Sequence, residues 1–166
     1  ADTTPHPELE AFMRARRSLD EPPFEEIKDY AEYDELYRIT WVEPVIRWLL
    51  STLPTAMIFD DHDIRDDWNT SQKWRREMNA KPWWHDRLVG GLEAYSVYQH
   101  AGNLSPEDLA TDEIWQLIAG HAAAGREDEL DLTDTLDAFA ERVDKDPDTY
   151  RWSYARDLGE SRLVVV

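Results

Sequence analysis

Residues 54–71 read PTAMIFDDHDIRDDWNTS. Thr55, Ala56, Met57, Ile58 and Phe59 form a short apolar run after Pro54, with β-branched and aromatic members. That pattern predicts a buried strand over 55–59. Its apolar character stops at Asp60, so Asp60, Asp61, His62 and Asp63 sit at the strand's C-terminal end, with Asp66 and Asp67 just behind. Ligands of open α/β sheets bind at such ends. Five carboxylates within eight residues repel one another, and a bound cation is the first reason to test. Oxygen and imidazole donors suit Fe, Mn, Zn, Mg or Ca, and a His beside a metal carboxylate can act as a general acid. The competing reading is a solvated acidic loop whose carboxylates cap neighbouring backbone. Asp66 and Asp67 read as supporting or helix-capping groups, and Trp68 and Asn69 as residues that fix the loop.

Outward from this stretch the chain reads as mostly helix with a little strand, an α/β class. Thr4-Pro5-His6-Pro7 opens a first helix that Glu21-Pro22-Pro23 breaks. A second is expected over about 29–39, with Tyr30, Tyr33, Leu36 and Tyr37 on one face. A third follows Pro44 and stops at Pro54. Ser71 caps a helix to about Asn79. A long helix is expected over 84–101, with Leu88, Leu92, Tyr95 and Tyr98 as its buried stripe. Gly90-Gly91 inside it marks close packing or a kink. Ser105-Pro106-Glu107-Asp108 is a capped start, 120–126 reads as a surface loop, and 132–143 as a helix. The stretches 151–156 and 162–166 read as a hairpin. The strands at 55–59 and 163–166 are expected side by side. Trp83 and Trp84 read as packing residues, and His85, His100 and His121 as isolated structural or solvent-exposed histidines.

Composition bounds the function. The 166 residues carry 18 Lys+Arg against 36 Asp+Glu, a formal charge of −18. Nucleic-acid backbone and anionic membranes are repelled by that balance, whereas divalent cations are attracted. With no Cys, neither a disulfide scaffold nor a thiolate metal site can form. No apolar run approaches the roughly 18 residues of a membrane-spanning helix. Compartment is not assigned by these features. The chain opens at Ala1 with no secretory signal pattern, and an internal piece of a longer protein is expected.

The segment WLLSTLPTAMIFDDHDIRDDWNTS resembles the centre of the alkaline phosphatase D family, the PhoD-like metallophosphatases. DYAEYDELYRITW, PWWHDRLVGGLEAYSVYQHAGNLSP and RWSYARDLGESRLVVV carry the same resemblance, which runs from about Glu25 to Val166. It implies part of a calcineurin-like α/β sandwich with a two-metal centre of divalent or trivalent ions. The implied chemistry is hydrolysis of phosphate monoesters or diesters by a metal-activated water.

Asp60-Asp61-His62-Asp63 resembles the family's DDHE, which stands where related phosphoesterases carry GNHE. By that match Asp61 is a metal ligand and Asp60 a weaker candidate. His62 faces the substrate phosphate as proton donor or charge stabiliser. Asp63 stands in place of Glu and would orient His62. The family's first metal-binding Asp and its GD motif would precede Ala1-Asp2, and its DSR segment and later His ligands would follow Val166. The resemblance thus implies that residues 1–166 are a single or partial domain of a longer enzyme, inactive alone, whose partners are the rest of that chain and a phosphate ester. Two alternatives stand beside it: a non-catalytic helical lid or interaction domain, and an HD-type metal phosphohydrolase suggested by His62-Asp63. The latter needs a further upstream His on a helix, and only His6 precedes His62.

Overall fold

Several helix starts follow their caps in the computed structural model of the chain, which describes residues 6–166. The His6 side chain accepts from the Glu8 amide ahead of α1 (Pro7–Arg16). Asp29 accepts from the Glu32 amide at 3.1 Å and opens α2 (Tyr30–Val42). Pro44 begins α3 (Pro44–Thr52), a position where its missing N–H costs nothing. Ser71 accepts from the Trp74 amide and opens α4 (Gln72–Asn79), and α5 covers Trp84–Tyr95. The described residues form two compact units. One takes the chain up to Thr55 together with Phe59–Tyr95, and the other takes Ala56–Ile58 together with Ser96–Val166.

In the first unit Leu9, Met13, Leu19 and Ile39 make one core, with Ile27 and Leu36 packed against it. A buried ion pair closes the connection between α1 and α2. Glu32 is fully buried and accepts from Arg17 Nε at 2.7 Å and from the Lys28 amide at 2.7 Å. Arg17 also donates to the carbonyls of Phe24 and Glu26, so a buried charge is matched by a full set of partners. This pull takes the chain out of α1 at Arg17, ahead of the expected break at Glu21-Pro22-Pro23. Trp83 and Trp84 are buried, and Trp84 stacks edge-on with Trp74 at 5.2 Å.

The glycine pair of α5 serves close approach. A Cβ at Gly90 would lie 2.4 Å from the Tyr30 backbone nitrogen, and one at Gly91 would lie 2.3 Å from Ile64 Cδ1. One glycine therefore seats α5 on the start of α2, and the other seats it on the acidic stretch.

The second unit opens with a π-helical turn, Ser96–His100, and continues through α6 (Ala101–Asn103), α7 (Pro106–Leu109), α8 (Glu113–Ala123) and α9 (Thr133–Lys145). The helix expected over 84–101 is thus interrupted at Ser96. Helix α8 runs to Ala123, so only the end of the expected 120–126 loop is non-helical. Ile114, Leu136, Phe139 and Val143 form the core, covered by Leu132, Tyr150 and Trp152. An antiparallel hairpin closes the chain, β1 (Tyr154–Leu158) with β2 (Ser161–Val165), in the register Tyr154↔Val165 to Leu158↔Ser161. Gly159 supplies the positive φ of the turn. The class is therefore predominantly helical with a two-stranded sheet among the described residues.

The strand expected over 55–59 is a correction. Thr55–Phe59 is irregular and largely exposed, and among the described residues the only strand paired with β2 is β1. A strand needs a partner for its backbone, and here a side chain takes that part. The buried Asn103 accepts from the Met57 amide at 3.0 Å and donates to the Met57 carbonyl at 2.6 Å. The Tyr154 hydroxyl donates to the same carbonyl. The pairing expected between 55–59 and 163–166 is absent for the same reason.

Candidate metal centre

The acidic stretch curls rather than leaving a strand end. Asp61–Asp63 is a single 3₁₀ turn closed by a reciprocal capping box. Asp60 Oδ1 accepts from the His62 amide at 2.8 Å, and Asp63 Oδ2 accepts from the Asp60 amide at 3.0 Å. These two carboxylates are occupied with backbone donors, as the capping reading of the sequence anticipated. Asp61 Oδ2 accepts from the Asp67 amide at 2.9 Å, which folds the next turn back onto the first. Asp67 and Asn69 take the left-handed backbone, φ 63° and 66°, a conformation that Asp and Asn tolerate better than other L-residues.

The curl gathers three ligand atoms. Asp61, His62 and Asp66 each present one, all within 4.8 Å of one another. His62 Nε2 lies 3.4 Å from Asp66 Oδ1 and 4.0 Å from Asp61 Oδ1. His62 and Asp66 are solvent-exposed and Asp61 is half-buried. Of the residues singled out in the sequence, Asp61 and His62 are brought together, while Asp60 and Asp63 brace the turn that carries them. Asp66 is the addition. Its place follows from the loop's curl, and the spacing of four from His62 is the one signal in the sequence that could have found it.

Buried groups hold the loop from behind. Ile64 is fully buried between the two acidic turns. Arg87 on α5, also buried, donates to the Ile64 carbonyl at 2.6 Å and to the Ile27 carbonyl at 2.8 Å, and pairs with Glu26 at 2.9 Å. Arg65 pairs with the same Glu26 oxygen at 2.7 Å and lies over the Trp83 ring. The Tyr33 hydroxyl donates to the Asp63 carbonyl at 2.8 Å, and burial pushes its pKa upward, so it stays a proton donor. Phe59 packs edge-on against Trp68 at 5.2 Å. Phe59, Ile64, Arg65 and Trp68 come from the acidic stretch itself, whereas Glu26, Ile27, Tyr33, Trp83 and Arg87 reach it from other parts of the chain.

A cavity of about 250 Å³ opens beside the turn, lined among others by Tyr33, Leu36, Tyr37, His62, Asp63 and Arg87. An imidazole on its rim can meet a molecule held there. Against protein-family models, curated proteins and solved structures, the chain has no match.

Proposed function

We propose that this chain is the acidic-loop segment of a metal-dependent phosphoric ester hydrolase, a phosphatase or phosphodiesterase resembling the alkaline phosphatase D family, with the calcineurin-like sandwich as the fold of the whole enzyme. One observation carries the reading: Asp61, His62 and Asp66 converge to within 4.8 Å on a turn fixed by Arg87 and Tyr33.

The donor set fits a hard or borderline cation. Two carboxylates and one imidazole are available, with no thiolate anywhere in the chain. Asp61 keeps Oδ1 for the ion while Oδ2 holds the Asp67 amide, which is the supporting contact a ligating carboxylate needs. Asp61 and Asp66 would hold the ion, and when bound it supplies Lewis acidity and a lowered pKa for its water. His62, its backbone held by Asp60 and its ring next to Asp66, would give a proton to the ester's leaving oxygen or steady the phosphate charge. Glu26 pairs with both Arg65 and Arg87 behind the turn, and Arg87 also spends its guanidinium on the Ile64 and Ile27 carbonyls, so these side chains brace the loop. A two-metal centre draws ligands from several segments, and the described residues hold one such group.

The test is made in the longer enzyme. Asp61→Ala is expected to lose metal and activity together. His62→Ala is expected to keep the metal and lose turnover by roughly 10²–10⁴-fold, the scale of a positioned proton-transfer group. Elemental analysis of both purified variants beside their rates decides it. Full metal and near-normal rate in Asp61→Ala would sink the reading, and loss of metal in His62→Ala would make His62 a ligand instead of a proton donor.

A second reading, a non-catalytic interaction domain, is favoured by α3. None of its residues is buried, and Val45 and Trp48 remain 74% and 63% exposed. An apolar face of that kind marks a contact surface. A chain that folds fully and binds no metal would favour it over the first.

A further inference from the structure

Asp66 is the least secured of the three converging donors. Asp61 is tied by its own bond to the Asp67 amide at 2.9 Å, and the His62 amide is held by Asp60 at 2.8 Å. Asp66 is exposed, and among the described residues its carboxylate meets only the His62 ring, at 3.4 Å. The other carboxylates of the loop repel it. Its place therefore depends on the backbone to either side. On one side Arg65 is fixed by Glu26 at 2.7 Å and lies over the Trp83 ring. On the other side stands Trp68.

The residues before and after Trp68, Asp67 and Asn69, both take the left-handed backbone. Such conformations persist where the surroundings over-determine them, and they gather at ligand clamps. Here they accompany a ring that turns back onto Phe59, at 5.2 Å and 72° between planes. Phe59 directly precedes Asp60 and Trp68 directly follows Asp67, so the two rings close the ends of the whole acidic loop. Phe59 also meets the ring of Tyr95 at 5.0 Å, and Tyr95 is buried at the end of α5. All of these groups lie in the first unit. Phe59 and Trp68 are themselves only half-buried, and Phe59 is the one ring that Trp68 meets among the described residues. Trp68 thus adds little to a core and shapes the loop instead.

On the reading of Asp61, His62 and Asp66 as a cation site, we infer that Trp68 is its positioning residue: with its ring clasped on Phe59, it holds Asp66 beside the other two donors before an ion arrives. A loop that must first be gathered binds more weakly, in proportion to the fraction of chains in the competent shape. A clasp made beforehand removes that loss. An edge-on aromatic pair is strong enough to change that fraction by about three- to tenfold.

The experiment titrates the 166-residue chain with Mn²⁺ at about 0.15 M salt and reads the dissociation constant from broadening of the amide signals of residues 60–68. Trp68→Ala is expected to weaken binding by about three- to tenfold, and Trp68→Phe, which keeps an edge-on ring, to stay within about twofold of wild type. A residue that only stabilised the fold would lower the melting temperature and leave the dissociation constant of the folded chain unchanged, and that result would overturn the role of Trp68 while the cation site stood. Wild-type chain with no localised broadening would overturn the cation site and the role of Trp68 together. A measurement free of variants adds a second check. Nuclear Overhauser contacts between the Phe59 and Trp68 rings are expected in the metal-free wild-type chain and unchanged on adding diamagnetic Ca²⁺. Contacts that appear only with Ca²⁺ would make the clasp a consequence of the ion and overturn the inference.

Discussion

Asp67 and Asn69 set the shape of the acidic turn through their backbone, at φ 63° and 66°. A β-branched residue pays steeply for that conformation. Asn69→Val is expected to destabilise the chain by about 1–2 kcal/mol, and Asn69→Gly to stay within about 0.5 kcal/mol of wild type. Urea denaturation of the two variants checks this, and equal losses would mean that the left-handed backbone is not what Asn69 supplies. His100 makes a second residue-scale prediction. Burial lowers its imidazole from 6.5 to about 4, against a weaker upward pull from Asp112. The folded ring then stays neutral where the unfolded one takes a proton. Stability is complete above pH 6.5 and falls as the pH drops from 6.5 towards 4. Thermal unfolding across that interval should decline more steeply for wild type than for His100→Phe, which keeps a ring among Tyr150 and Trp152 and cannot titrate. Parallel declines would contradict this account of His100.

Helix α5 links packing to the site at the scale of elements. Gly90 meets the fixed backbone of Tyr30, whereas Gly91 meets the movable end of Ile64. Gly90→Ala should therefore cost about 3 kcal/mol, the upper end of overpacking, and Gly91→Ala about 1 kcal/mol. Because Ile64 lies between the two acidic turns, Gly91→Ala should also weaken cation binding at Asp61 while Gly90→Ala, once folded, should not. Denaturation and metal titration of both variants check the pair. The elements that the sequence made legible are those with local signals. Asp29, Ser71 and Ser105 each occupy the N-cap that their residue type favours, the glycine pair marks close packing, and the hairpin at 154–165 follows from its turn. The errors are non-local. An apolar run at 55–59 resembles a strand, but only a partner makes it one, and Asn103, 46 residues away, binds Met57 instead. The candidate site divides in the same way. Asp61 and His62 are visible in the motif, while Arg87, Tyr33 and Glu26 reach it from distant parts of the chain and carry no local mark. Asp66 joins only because a capping box and two left-handed residues bend the loop back.

Taken whole, the molecule is strongly acidic, with 36 carboxylates against 18 Lys and Arg. Most of its acidic side chains lie on solvated surface or in exposed pairs such as Asp157 with Arg162, which contribute little. General attraction of cations to that surface is screened by salt, whereas a site made of three converging donors is not abolished by it. No helix among the described residues is long and apolar enough to cross a membrane. The central claim is that Asp61, His62 and Asp66 form one cation site distinct from this diffuse field. Titration of the 166-residue chain with Mn²⁺ at about 0.15 M salt, read by paramagnetic broadening of amide signals, tests it most directly. Broadening at low occupancy confined to residues 60–68 and their contacts on Tyr33 and Arg87, and lost in the Asp61→Ala, Asp66→Ala double variant, is the predicted result. Broadening spread over the acidic helices, or unchanged in the double variant, would contradict the site.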